Sequence, residues 1–218
     1  MSVVIVDYGS GNLRSAAKAF ERAAAESSLA TPVTVSSDPK TLRTASHIVL
    51  PGQGAFAECK RGLSDLPGMI EALEEAVIDG GKPFLGICVG MQLMARTGHE
   101  HGEHEGLGWI EGKVVPIEAK DPSLWTQGKI PHMGWNDLEI LDGTHPVLEG
   151  VETGRHAYFV HGYHFQCDDE SCVLAEVDYG GPIAAAVGRD NIVGTQFHPD
   201  KSQATGLKLI ANFLRWRP

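Results

Sequence analysis

Two short stretches of this 218-residue chain combine residue types that can transfer an acyl group. In Gly86-Ile87-Cys88-Val89-Gly90-Met91-Gln92 an apolar run ends in a Gly-x-Cys-x-Gly turn, the spacing of a nucleophile elbow with Cys in place of Ser. The flanking glycines permit a tight strand-to-helix turn. A helix expected from Val89 towards Thr97 sets its positive end beside the thiol, favouring thiolate, and the Val89 N–H faces a developing oxyanion. The competing reading of Cys88 is a buried structural cysteine. In the second stretch, His198 follows the apolar run Asn191 to Phe197 and precedes Pro199, which puts it at a strand end, where the functional groups of α/β sheets collect. Asp200 comes within reach of its imidazole if the chain turns at Pro199, and so can hold Nδ1–H and leave Nε2 for the thiol. Alone, His198 reads as a structural histidine; with Cys88 it makes a candidate Cys-His-Asp triad working through a thioester. A third stretch, Pro51-Gly52-Gln53-Gly54-Ala55-Phe56, reads either as an ordinary strand-to-helix turn or as a second backbone arm for an oxyanion.

These groups need strand ends to carry them. Val3 to Asp7, Ser46 to Leu50 and Pro83 to Ile87 are short apolar runs bounded by Gly or Pro, as expected of parallel strands covered on both faces. Helical stretches separate them: Asn12 to Glu26, with Leu13, Ala16, Ala17 and Phe20 on one face, and Leu66 to Asp79. Beyond residue 108 the texture turns β-rich, with strands expected at Trp109 to Ile117, Ile130 to Ile140, Ala157 to Gln166, Cys172 to Tyr179 and Ile183 to Phe197. The last is folded by a turn at Gly188-Arg189-Asp190-Asn191, and a helix follows at Gln203 to Trp216. The expected fold is α/β, a central mostly parallel sheet flanked by helices with an antiparallel portion in the C-terminal half. No repeat or linker interrupts it, so residues 1–218 read as a single domain.

Composition narrows the classes. With 18 Lys and Arg against 28 Asp and Glu, the net charge is −10, which argues against a nucleic-acid partner. No apolar run approaches the roughly 20 residues of a membrane span, and no leader pattern precedes Val3, so the chain is expected to be cytoplasmic. Four cysteines are too few for a disulfide scaffold, and Cys167 and Cys172 lack the second pair that a zinc site needs. Gly9-Ser10-Gly11 lacks the third glycine of a dinucleotide turn, Arg14 standing there. His99-Glu100-His101-Gly102-Glu103-His104-Glu105 is rich in ligand types without fixed spacing, so no functional metal site is expected.

Together with Pro131-His132-Met133-Gly134-Trp135-Asn136, Tyr158-Phe159-Val160-His161 and Asp7 to Leu13, these motifs resemble the glutaminase subunits of imidazole glycerol phosphate synthase, class I (triad) glutamine amidotransferases of histidine biosynthesis. The resemblance runs from Asp7 to Leu214. It implies Cys88 as nucleophile, His198 as base, Asp200 as third triad member, and Gly52 with Val89 around the oxyanion. It further implies Gln92, His161, Gly162 and Tyr163 lining the glutamine pocket, no cofactor, and a cyclase subunit with a (β/α)₈ barrel as partner, towards which Pro131, Met133 and Trp135 face. Three positions depart from the family's usual residues: Asp200 for Glu, Gln53 for a small apolar residue, and Gly162 for Ser. The rival readings are a stand-alone γ-glutamyl or peptide cysteine hydrolase, active without a partner, and a non-catalytic binding subunit in which Cys88 is structural.

Overall fold

The apolar runs become the centre of a nine-stranded sheet in a computed structural model that describes residues 1–118 and 130–218. Chain order in the first half is β1 (Val3–Val6), α1 (Leu13–Glu26), β2 (Val33–Ser36), α2 (Lys40–Thr44), β3 (His47–Gly52), α3 (Phe56–Ser64), α4 (Met69–Leu73), β4 (Phe84–Cys88) and α5 (Val89–Gln92). Asn12 caps α1 by accepting the Ser15 N–H, and the helix buries Ala16, Phe20 and Ala23. Strands β1, β3 and β4 are buried along their whole length, the burial expected for parallel strands with helices on both faces.

The second half supplies β5 (Thr97–Gly98), β6 (His104–Glu105), β7 (Gly112–Pro116), β8 (His132–Ile140), β9 (His156–His161), β10 (Tyr163–Cys167), β11 (Val173–Asp178), β12 (Pro182–Arg189), β13 (Ile192–Thr195) and α6 (Gln203–Arg215). The large sheet runs β2-β1-β3-β4-β13-β12-β11-β8-β9, and a smaller one runs β10-β7-β5-β6. From β2 to β13 neighbours pair in parallel, and from β13 to β9 antiparallel, so the expected α/β architecture and its antiparallel C-terminal portion are both present. Helix α6 closes back on α1, Phe20 meeting Phe213 edge-to-face at 6.2 Å, a pair of buried rings each contributing about 1.5–3 kcal/mol by burial.

Three boundaries differ from the sequence expectation. The helix read at Leu66 to Asp79 is α4 followed by a π-helical turn, Glu74–Asp79. The strand read at Ala157 to Gln166 breaks at Gly162 into β9 of the large sheet and β10 of the small one. The helix read from Val89 towards Thr97 is the single turn α5, because the carbonyls of Leu93, Met94, Ala95 and Arg96 are taken by the N–H groups of Leu107, Trp109, Gly108 and Gly106 instead of by a continuing helix. No helix among the described residues is long and apolar enough to cross a membrane.

Candidate active site

Strands β3, β4 and β13 are adjacent and parallel, and their C-terminal ends carry Gly52, Cys88 and the segment leading to His198. Cys88 ends β4 at φ 55° and ψ −112°, a left-handed conformation unusual for a residue with a side chain and the mark of a strained elbow. The elbow lies against β3 so tightly that a Cβ on Gly90 would fall 1.8 Å from the Leu50 carbonyl oxygen, which excludes any side chain there. Gly52 pairs with Cys88 across the ladder, and a Cβ on it would fall 2.6 Å from the Gly90 nitrogen and 2.8 Å from Val89 Cβ. Gly52 and Val89, the two positions assigned to the oxyanion, thus lie side by side. The neighbouring Gln53 has an exposed side chain, and its backbone is held by Ser10: its N–H donates to Ser10 Oγ at 3.1 Å and its carbonyl accepts from that hydroxyl at 2.6 Å.

His198 is held by its backbone, its N–H donating to the Tyr158 carbonyl at 3.0 Å and its carbonyl accepting from Ser202 Oγ at 2.7 Å. The chain does turn at Pro199, and Asp200 Oδ1 lies 3.8 Å from His198 Nδ1, with side-chain exposures of 4% and 6%. That separation is a charge contact longer than a hydrogen bond. His198 Nε2 and Asp200 Oδ2 are buried and find no hydrogen-bond partner among the described residues. Burial, with Lys201 nearby, lowers His198 to about 4 against the opposing pull of Asp200.

The thiol departs from expectation. Burial pushes Cys88 up to about 12, outweighing the stabilising Val89 N–H, and α5 is too short to supply the helix-end field that the sequence reading invoked. Its sulfur lies 4.0 Å from the Val160 carbonyl oxygen, to which the thiol donates, and 3.7 Å from Gln196 Nε2, from which it accepts. Burial thus disfavours the charged form of both the thiol and the imidazole.

Of the residues assigned to a glutamine pocket, Gln92, His161 and Tyr163 come together: the Tyr163 carbonyl accepts from Gln92 Nε2 at 3.1 Å and from His161 Nδ1 at 2.8 Å. Gly162 lies between β9 and β10, and among the described residues a Cβ there would meet Ile130 Cγ2 at 3.4 Å, an ordinary contact. Pro131, Met133 and Trp135 lie apart from this cluster on the β8–β9 ribbon at the sheet's edge, and all three are exposed, Met133 by 64% and Trp135 by 49%. Two site neighbours escaped sequence reasoning. Gln196 is wholly buried in an otherwise apolar run, which was its signal. The Tyr8 hydroxyl, buried beside Gly52 and near Cys59 and Ser10, had none.

Among the described residues no group of three or more His, Cys, Asp or Glu is placed to hold a metal. The His-Glu-rich segment is used locally instead: Glu100 accepts the Phe56 N–H at 2.7 Å, and His104 bonds the Glu100 carbonyl at 3.1 Å.

The family model for class-I glutamine amidotransferases matches residues 4–216. The chain belongs to the class-I glutamine amidotransferases. Within that family it is 57% identical over 218 residues to the imidazole glycerol phosphate synthase subunit HisH of Rhodospirillum rubrum and 58% identical to that of Cereibacter sphaeroides, each covering 100% of both chains. Its place is therefore among the HisH amidotransferases. A crystal structure described as a glutamine amidotransferase superposes with a TM-score of 0.71 over 97% of each chain at 20% identity. A glutamine amidotransferase from Thermotoga maritima does so at 0.60, covering 92% of this chain and 76% of its own, at 18% identity. At those identities the two structures support the amidotransferase fold alone.

Proposed function

We propose that this chain is the glutaminase subunit of an imidazole glycerol phosphate synthase in histidine biosynthesis, with Cys88, His198 and Asp200 as its triad. The observation that carries the residue assignment is the left-handed Cys88 at the end of β4, beside the buried His198–Asp200 pair at the end of adjacent β13. His198 Nε2 takes the thiol proton as Cys88 attacks the side-chain amide carbon of glutamine. The N–H groups around Gly52 and Val89 receive the oxyanion, and the imidazolium, held by Asp200, returns the proton to the departing ammonia. Water deprotonated by the same imidazole then cleaves the γ-glutamyl thioester to glutamate. Gln92, His161, Gly162 and Tyr163 line the glutamine pocket in this reading. No cofactor enters the scheme.

The relatives are named as part of a synthase, which supports a partner, and the family resemblance makes it a cyclase that consumes the ammonia. The exposed Pro131, Met133 and Trp135 supply the apolar anchors for it. The contact of the thiol with the Val160 carbonyl, whose strand pairs with the exposed β8, supports a protein that needs its partner over a stand-alone hydrolase. Neither nucleic acid nor membrane has a part in this reading, which sets the reaction in the cytoplasm. A single domain over residues 1–218 is supported by the large sheet, which draws strands from both halves of the chain.

The test is glutamate release by the purified chain with and without a cyclase partner and its nucleotide ligand. Release should rise strongly with both, and Cys88→Ala should abolish it in a folded protein. Hydrolysis by Cys88→Ala near the wild-type rate would overturn the triad, and full activity without the partner would favour the stand-alone hydrolase.

A further inference from the structure

Five side chains and one carbonyl connect the exposed β8 strand to the Cys88 sulfur. The Tyr163 carbonyl can only accept, so the proton of His161 is on Nδ1. Burial lowers His161 to about 3 and His132 to about 4, so each ring carries one proton at neutral pH. His161 Nε2 is then a bare acceptor for His132 Nδ1–H at 3.0 Å, and His132 Nε2 accepts from Asn136 Nδ2 at 3.3 Å. The Asn136 amide also donates to the Asp178 carbonyl at 3.0 Å, while its Oδ1 accepts the Asp137 N–H at 2.9 Å, which fixes its orientation. The His132 ring is stacked between Phe159 at 4.7 Å and Tyr179 at 3.9 Å.

The same carbonyl sets the polarity on the other side. Gln92 Nε2 donates to Tyr163 O at 3.1 Å and to Gln196 Oε1 at 3.0 Å. With its oxygen so engaged, Gln196 must turn Nε2 towards Cys88 Sγ, 3.7 Å away. A flipped amide would face the sulfur with an acceptor and leave Gln92 opposing a donor.

We propose that Gln196 is a positioning residue for the Cys88 sulfur, its N–H aimed by Gln92 and the Tyr163 carbonyl, and that the His132–His161 pair pins that carbonyl from β8. The proposal rests on Cys88 as nucleophile. A donor facing the sulfur stabilises thiolate more than thiol, so the chain favours the reactive form in a site whose burial opposes it. The other groups acting on the sulfur are the Val160 carbonyl on β9, the Val89 N–H, Cys59 on α3, and Lys201 and Asp200 in the turn after β13. The Tyr8 phenol from the turn after β1 also senses it. None of them changes in the variants that test the chain.

The experiment follows alkylation of Cys88 by iodoacetamide in the full chain, from neutral to alkaline pH, by peptide mass mapping, with Cys167 and Cys172 as internal references. Gln196→Leu removes the donor and Gln92→Leu removes the group that aims it. Each should slow alkylation of Cys88 about tenfold at neutral pH, while a loosened fold would expose the thiol and speed it. His132→Phe keeps the stacked ring but not the donor, and should slow the reaction less, in the same direction. In a Gln196→Leu background neither second change should matter further. In glutamine hydrolysis Gln196→Leu should lower kcat with KM little changed. Additive effects in the double variants, or unchanged alkylation in Gln196→Leu, would overturn the chain. Alkylation reads the sulfur whatever its role, so hydrolysis surviving in Cys88→Ala would overturn the catalytic reading separately.

Discussion

Replacing Asp200 with Asn removes the carboxylate that faces His198 while keeping size and shape. At the 3.8 Å between Oδ1 and Nδ1, a unit charge pair at an effective dielectric of about 20 is worth about 4 kcal/mol. Lys201, which opposes the imidazolium, offsets part of this, leaving on the order of 3 kcal/mol for the step that forms the imidazolium. Asp200→Asn should therefore lower kcat/KM about a hundredfold. The assay is steady-state glutamate release with saturating partner, alongside circular dichroism to show an intact fold. A second signature comes from pH. Asp200 raises the His198 pKa, so its loss should move the acid limb of kcat/KM to lower pH, because the base is active only when neutral. Asp200→Glu should stay within a few-fold of wild type, since the gap at 3.8 Å leaves room for one methylene to shorten the contact. An Asn variant within about threefold of wild type, its acid limb unmoved, would reduce the triad to a Cys88–His198 dyad, with Asp200 worth no more than the roughly 1 kcal/mol of an ordinary ion pair.

Trp135→Ala, truncating a half-exposed ring that packs edge-on against Tyr158 at 5.7 Å, should weaken partner association by about 1–3 kcal/mol in a titration and leave the fold unaffected; unchanged affinity would remove this ribbon from the interface. Gly162→Ser should change stability by less than about 0.5 kcal/mol in urea unfolding, because among the described residues a Cβ there makes an ordinary contact at 3.4 Å. Burial lowers the pKa of His47, His132 and His161 to about 4, 4 and 3, below the unfolded value of about 6.5, so the unfolded chain takes up their protons first as pH falls. Unfolding free energy should be flat in these groups above about pH 6.5 and fall below it by up to about 1.4 kcal/mol per pH unit for each; His47→Gln should reduce that slope by one such increment, and an unchanged slope would refute the assignment.

What the sequence made legible was what local patterning controls. Val3 to Val6, His47 to Leu50 and Phe84 to Ile87 are short, mostly apolar runs bounded by breakers, so their burial on both faces followed directly. The turn at Asp190 followed from its residue types, with φ 51° there in the structure. The Cys88 elbow followed from two glycines at fixed spacing. What stayed hidden depends on distant partners. Nothing between Val89 and Thr97 announces that residues 106–109 will take the carbonyls a helix would have used. Nothing local to Gln196 says that its amide will meet Gln92 and Cys88, 104 and 108 positions away. The thiol's environment depends on distant partners for the same reason: the helix end is a local feature, while the groups around the sulfur include Val160 and Gln196, far away in sequence.

The geometry also states what must change before acyl transfer can begin. The thiol proton points to the Val160 carbonyl, and His198 Nε2, the proposed acceptor of that proton, has no hydrogen bond among the described residues. In the proposed mechanism sulfur and imidazole must meet, and the thiol gives up its long 4.0 Å contact to the Val160 carbonyl to do so. Val160 lies on β9 directly across the ladder from Met133, the most exposed of the large apolar side chains on β8. The carbonyl that faces the thiol is thus one cross-strand pair from the surface proposed for the partner. Under the proposed function, a shift of the β8–β9 ribbon on association would act on that contact, a short route to the partner dependence proposed above.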